Sequence, residues 1–298
     1  LKIDLRRRIL AFQGSIGAQE IVSQSGYGKP CLRSDTHHKE PTRPEISIVD
    51  VSFLGSLLLP VSDQEQIVSS VKRATHGTSL DDVRDEGLER ITEGWQDRGY
   101  FKVRVTGETR TLDIGPESQR IALSVQGEEG LRYNLKDITF KNNKAIGNVD
   151  TLRGFFQIAD GEVFSREKIA KGLEDLRKAY GEIGFVNFTS VPDTQFDDEI
   201  GLISLVIDID EGKQFRVGSV KVLGLDDAAR EEMLKALPKR GEIFSDKIWE
   251  QSLVTYFPML PDCGCGYVAD GIAQKMKRVD ESTETVSLTF DFRSCPGK

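Results

Sequence analysis

Four cysteines and three histidines are the residues of this 298-residue chain best suited to metal or redox chemistry. Cys263 and Cys265 stand in Asp-Cys-Gly-Cys-Gly, Cys295 lies near the end of the sequence, and Cys31 precedes His37 and His38. Structural zinc sites take four ligands, usually offered as two close pairs, and Cys-x-Cys without a second pair nearby is poor spacing for one. Cys31 with His37 and His38 is a conceivable ligand set. It falls in a Pro-rich polar stretch that reads as loop, where Cys31 could instead pair with a leftover cysteine. No metal and no cofactor are expected. His76 sits beside a glycine in an expected loop and belongs to no serine–base–acid order. Phe-Leu-Gly-Ser-Leu from Phe53 is not a nucleophile elbow, which needs Gly-x-Ser-x-Gly. Gly-Ser-Ile-Gly-Ala-Gln from Gly14 lacks the Lys-Ser/Thr end of a phosphate loop. The pairs Asp81–Asp82, Asp197–Asp198 and Asp226–Asp227 fall at turns or helix starts, where carboxylates cap free amides. No catalytic residue is expected, and the chain does not read as an enzyme.

Bulk properties narrow the classes further. A net charge of −8 argues against nucleic acid, which requires a basic surface to release counterions. The apolar run Phe-Leu-Gly-Ser-Leu-Leu-Leu-Pro-Val stops at Pro60, far short of the ~18–20 residues of a membrane span. The basic start, Arg6 to Arg8, is followed by too short an apolar stretch, broken by Gln13, to read as a signal peptide.

What positions side chains here is a repeat. Glu-Gly at Glu129 recurs at Glu211, 211 − 129 = 82 residues on, each time followed by an aromatic and an alternating apolar strand. Gly-Glu-Val-Phe-Ser at Gly161 recurs as Gly-Glu-Ile-Phe-Ser at Gly241. Helical stripes follow: Ile169, Leu173, Leu176, Tyr180 and Ile183 in one copy; Trp249, Leu253, Tyr256 and Leu260 in the next. A weaker copy lies upstream, with Leu88, Ile91 and Trp95. Gly-aromatic pairs end the helices at Gly99–Tyr100, Gly184–Phe185 and Gly266–Tyr267. The aromatics on these stripes read as core. Phe155 and Phe156, adjacent on an expected helix, leave one ring free to lean outward. Each copy closes on a two-residue alternation: Ile121, Leu123, Val125; Ile203, Leu205, Ile207, Ile209; Val286, Leu288, Phe290, Phe292.

A period above 80 residues is too long for a solenoid, so the copies are tandem domains. The expected fold is α+β: three βααββ domains, each with two helices on a three-stranded mixed sheet. If each element reverses the last, strands one and three are parallel, strands two and three form a hairpin, and the third strand is central. The boundaries are 45–130, 131–213 and 214–295, after an extension over 1–44 of unknown role.

This βααββ order, the Glu-Gly junction, the Gly…Phe-Ser…Gly-Phe segment and the closing Ile-Asp-Glu-Gly resemble POTRA (polypeptide-transport-associated) domains over roughly 45–294. The first copy departs from the pattern in its first loop. The third has Pro258 and Pro261 where the second has continuous helix. The resemblance implies a periplasmic location at the outer membrane of a diderm bacterium, and an outer-membrane β-barrel in the same chain or as a partner. It also implies extended client polypeptides and accessory lipoproteins as partners. A central third strand leaves the second as an edge, open to strand addition by a client. The edge candidates are Phe101, Val103 and Val105; Phe185, Asn187 and Thr189; and Tyr267, Ala269 and Gly271. The competing expectation is a rigid docking arm that holds lipoproteins and touches no client. With the last hairpin turning near Asp280, Cys295 falls opposite Cys265, or opposite Cys263 if a bulge shifts the register. A disulfide there suits an oxidising compartment.

Overall fold

The computed structural model describes residues 44–256 and 276–293. Its first unit runs β1 (Glu45–Leu54), α1 (Val61–Ala74), β2 (His76–Gly77), α2 (Leu80–Gln96), β3 (Arg104–Ile114) and β4 (Ser118–Glu128). The second runs β5 (Asn134–Lys141), α3 (Val149–Arg153), α4 (Arg166–Glu182), β6 (Thr189–Asp197) and β7 (Leu202–Asp210). The third runs β8 (Arg216–Leu223), α5 (Asp227–Ala236), α6 (Asp246–Tyr256), β9 (Lys277–Asp280) and β10 (Thr285–Asp291).

Period-two alternation makes each closing strand the middle of its sheet. The orders are β2-β1-β4-β3, β5-β7-β6 and β8-β10-β9. β4, β7 and β10 pair parallel with the first strand of their unit and antiparallel with the second. This is the βααββ architecture, written three times. Ile121, Leu123 and Val125 face one hydrophobic cluster, Ile203 to Ile209 a second, and Val286, Leu288 and Phe290 a third. The helices close each cluster with their stripes: Ile91 and Trp95; Ile169, Leu173, Leu176 and Tyr180; Trp249. Side-chain caps start the main helices. Ser79 accepts from the Asp82 amide, Ser165 from the Lys168 amide and Asp226 from the Ala229 amide.

Several expectations need correcting. The first sheet has four strands, because His76 and Gly77 pair with Ser47 and Ile46, so His76 lies in a short strand rather than a loop. Phe155 and Phe156 follow α3 instead of riding on it. Phe156 is buried hard against Gly172 and Phe155 packs on the same core, so they form no exposed patch. Ile183 lies past the end of α4 and is exposed. The last hairpin turns over residues 281–284, since Thr285 pairs with Asp280; the turn is centred beyond Asp280. Cys263, Cys265, Cys295, Cys31, His37 and His38 lie outside the described residues, as do Tyr267, Ala269 and Gly271.

Candidate polypeptide-binding edges and the joints that space them

Among the described residues the sheets end on β2 and β3, β5 and β6, and β8 and β9, and the edges formed by the second long strand of each unit are β3, β6 and β9. They differ as templates. β3 is eleven residues long, with Val105, Gly107 and Thr109 half-buried on the helix side and their neighbours exposed. A bulge between Thr111 and Asp113 ends its regular stretch. β6 has nine residues but carries Pro192 opposite Ile207. Proline survives in an edge strand when its missing N–H is on the free side, so it removes a donor from that rim. β9 is described over four residues only.

Of the edge candidates, Val105 and Thr189 lie in β3 and β6. Phe101 and Val103 do not: β3 begins at Arg104, and both side chains are buried in the turn before it. Phe185 and Asn187 likewise precede β6, Phe185 half-buried and Asn187 exposed. The chain leaves each helix through a left-handed glycine, φ +90° at Gly99 and +92° at Gly184, and spends several residues on a second task before entering the strand.

That task is the joint to the next unit. The Tyr133 amide donates to the Gly99 carbonyl at 2.8 Å, and the Phe215 amide to the Gly184 carbonyl at 2.8 Å. The guanidinium of Arg132 donates to the Arg98 carbonyl, and the Gln214 amide group to the Ile183 carbonyl. Phe101 leaves its own unit to join the second unit's core, 5.4 Å from Phe164 and 5.3 Å from Phe196 between ring centres. Val186 joins the third core in the same way. Beside Phe101, Lys102 pairs with Asp198 at 2.6 Å and lies 4.4 Å over the Phe196 ring. Tyr133 also donates to Asp198, at 2.6 Å. The Lys102 ammonium holds the Asp198 carboxyl below its ordinary range. Beside Val186, Asn187 donates to Glu281 at 3.2 Å. A β-carbon on Gly99 or Gly184 would approach the next unit's backbone oxygen, of Tyr133 or Phe215, to 2.9 Å. Only glycine fits.

The Glu-Gly junction has its own role. Glu129 is buried, and its carboxylate accepts from the Leu59 amide at 2.9 Å, the Trp95 indole at 2.9 Å and the Leu58 amide. Glu211 accepts from the amides of Lys144 and Ala145 at 2.6 and 2.8 Å and from the Tyr180 phenol at 3.0 Å. Each therefore ties the end of a unit to its first loop and its long helix. Gly130 and Gly212, at φ +68° and +66°, then turn the chain toward the next unit. Burial, followed by the bond to Glu211, pushes the Tyr180 phenol well above its ordinary range. In the third unit Phe292 holds the place of Ile209 and packs on the core. No group of His, Cys, Asp or Glu among the described residues could hold a metal ion. No described helix is long and apolar enough to cross a membrane.

Comparison with known proteins agrees with this architecture. Residues 133–212 match the POTRA family model, described as surface antigen variable number repeat. A Treponema pallidum (strain Nichols) protein named for outer membrane protein assembly is 22% identical over 253 residues, 81% of this chain and 30% of its own length. The outer membrane protein assembly factor BamA of Buchnera aphidicola subsp. Acyrthosiphon pisum (strain APS) is 22% identical over 165 residues, 55% of this chain and 26% of that protein. The chain thus spans less than a third of these curated relatives. Among solved structures, POTRA domains 3–5 of Haemophilus influenzae BamA superpose with a TM-score of 0.56 at 15% identity, covering 85% of this chain and 98% of that one. Residues 133–212 are thus similar to a POTRA domain, and the described residues share the fold of tandem POTRA domains.

Proposed function

We propose that this chain is a non-enzymatic, periplasmic polypeptide-binding array serving outer-membrane β-barrel assembly, and that clients add to it as an extra strand along β3. Its three domains, 45–130, 131–213 and 214–295, act as one interlocked body beside a β-barrel supplied in the same chain or by a partner. The carrying observation is the rim of β3: eleven residues, paired on one side only among the described residues, without proline. Main-chain hydrogen bonds ask little of a client's sequence, and each contributes about 0.5–1.5 kcal/mol. Four or five of them, after ordering costs, give affinities of about millimolar to micromolar. Such contacts hold a client without trapping it. The names of the similar proteins, which refer to outer membrane protein assembly, support the same reading.

A second reading, a rigid arm that docks accessory lipoproteins and touches no client, draws on the joints. Both use the same glycine–carbonyl bond and insert the side chain two residues after the glycine, Phe101 or Val186, which favours fixed geometry. Titrating the full chain with an extended peptide of alternating apolar and polar residues, while following backbone amide shifts, separates the two. Strand addition predicts saturable shifts along residues 104–111 and weaker ones on β6. A pure docking arm predicts none at millimolar peptide.

A further inference from the structure

We propose that Glu108 and Arg110 give the rim of β3 a direction: they select an antiparallel client strand whose polar face carries an acidic and then a basic residue, two positions apart, followed by a large apolar residue on its other face. The inference rests on strand addition along β3 and names the class of strand that is added. Main-chain hydrogen bonds repeat along a strand without regard to sequence, so they hold an incoming segment without fixing its register. Side chains at the rim have to do that.

Alternation sorts the side chains of β3 onto two faces. Arg104, Thr106, Glu108 and Arg110 are exposed on the face away from the helices, and Val105, Gly107 and Thr109 are half-buried on the helix side. The register with β4 shows which charges already face a charge on the inner side. Arg104 lies opposite Glu128, whereas Glu108 lies opposite Ser124 and Arg110 opposite Ala122. Neither Glu108 nor Arg110 has a hydrogen bond or ion pair among the described residues. An acid and a base therefore stand two residues apart, ~6.8 Å along the strand, with the outer side open to a partner. β6 offers no such order: its exposed residues Val191, Asp193, Gln195 and Asp197 carry charge of one sign.

Chain direction converts this pair into a sequence rule. An antiparallel client meets Arg110 first, so its acidic residue precedes its basic one, which falls opposite Glu108. Opposite charges placed directly across a strand pair attract, and like charges repel. The next client residue lies opposite Gly107, on the helix side. A β-carbon on Gly107 would come within 2.9 Å of Leu88 Cδ2 and 2.7 Å of the Ser124 carbonyl oxygen, so Leu88 of α2 closes over the strand at this point. Leu88 is half-buried and packs on the first core. A large apolar client side chain, an aromatic one above all, covers the bare glycine and rests against Leu88. The selected class is an amphipathic strand that reads acidic, apolar, basic, large apolar.

The test titrates the full chain with two peptides of one composition, Thr-Val-Asp-Val-Lys-Phe-Thr-Val and the same peptide with Asp and Lys exchanged, following the amide shifts of residues 104–111. The first is expected to bind about tenfold tighter at low salt, a preference that shrinks as salt is raised. Replacing its phenylalanine with serine should weaken it more than the same change at its first valine. In the full chain, Glu108→Arg together with Arg110→Glu should reverse the preference between the two peptides. Both side chains are exposed, so the exchange leaves the core untouched. Affinities within twofold of each other, with shifts along β3, overturn the directional reading and leave strand addition standing. So does a preference that survives the charge exchange unreversed. No saturable shift with either peptide at millimolar concentration overturns strand addition itself, and this proposal with it.

Discussion

Glu129 and Glu211 draw three donors each onto one carboxylate, two of them amides of the unit's first loop. Removing Glu129 leaves its donors facing protein instead of water, and an unmatched buried polar group costs about 1–3 kcal/mol. Glu129→Ala is therefore expected to destabilise the first unit by about 3 kcal/mol and Glu129→Gln by roughly half as much, read by urea denaturation. A loss below about 0.5 kcal/mol would show that the loop finds other partners. The Tyr180 phenol gives a second check at this scale. Its folded pKa is raised above 10.0, so its contribution is whole below pH 10.0 and is lost as pH climbs through the folded value. Stability of Tyr180→Phe should fall less steeply than that of the parent above pH 10.0. Equal slopes would contradict the buried Glu211–Tyr180 contact. The sequence displayed both Glu-Gly pairs, and their spacing exposed the repeat. Their task stayed hidden because the partners lie 31 or more residues away, on the long helix and in first loops of unlike sequence.

At the scale of elements, alternation and stripe spacing carried most of the fold. Strand three could be placed at the centre because both its neighbours need it, and its apolar residues repeat without interruption from Ile203 to Ile209. The strand starts were misread at Phe101 and Phe185 for a physical reason. A short apolar run after a Gly-aromatic pair looks like strand, yet here it is consumed by the joint to the following domain. Sequence also hid the weight of Pro192, which sits in the rim proposed to compete with β3. Pro192→Thr should restore a donor to β6. Amides of residues 189–197 are then expected to shift with peptide as strongly as those of β3, and unchanged β6 shifts would mean that the rim is blocked by something else.

The whole molecule is set by its two joints. Phe101 is buried in a core that belongs to the neighbouring domain, so Phe101→Ala should cost about 3–5 kcal/mol, mainly in the coupling between the first two domains. Scattering or residual dipolar couplings should then report a broadened distribution of angles between these domains. An unchanged distribution would place the coupling elsewhere. The Lys102–Asp198 pair beside it is exposed, where water and salt screen an ion pair. Its sign is still testable. Asp198 has a folded pKa below 3.8, so its contribution is present above that value and disappears as pH falls through the folded one. Asp97, raised by burial at the same joint, acts in the opposite direction and is relieved by acid. Asp198→Asn should flatten the loss of coupling in acid. The acidic turn at Asp197–Asp198 was legible from sequence only as a cap. Its role across the joint needed the approach of Lys102, 198 − 102 = 96 residues away.

The central claim is that an extended client becomes the outermost strand of the first sheet. Isotope-edited NMR on the full chain, bound to an unlabelled peptide of alternating apolar and polar residues, reads that geometry. Intermolecular contacts between α-protons, repeating at every second residue from Arg104 to Thr111, are the expected result. Saturable binding with no such ladder on β3, or with contacts confined to helices and loops, would contradict it.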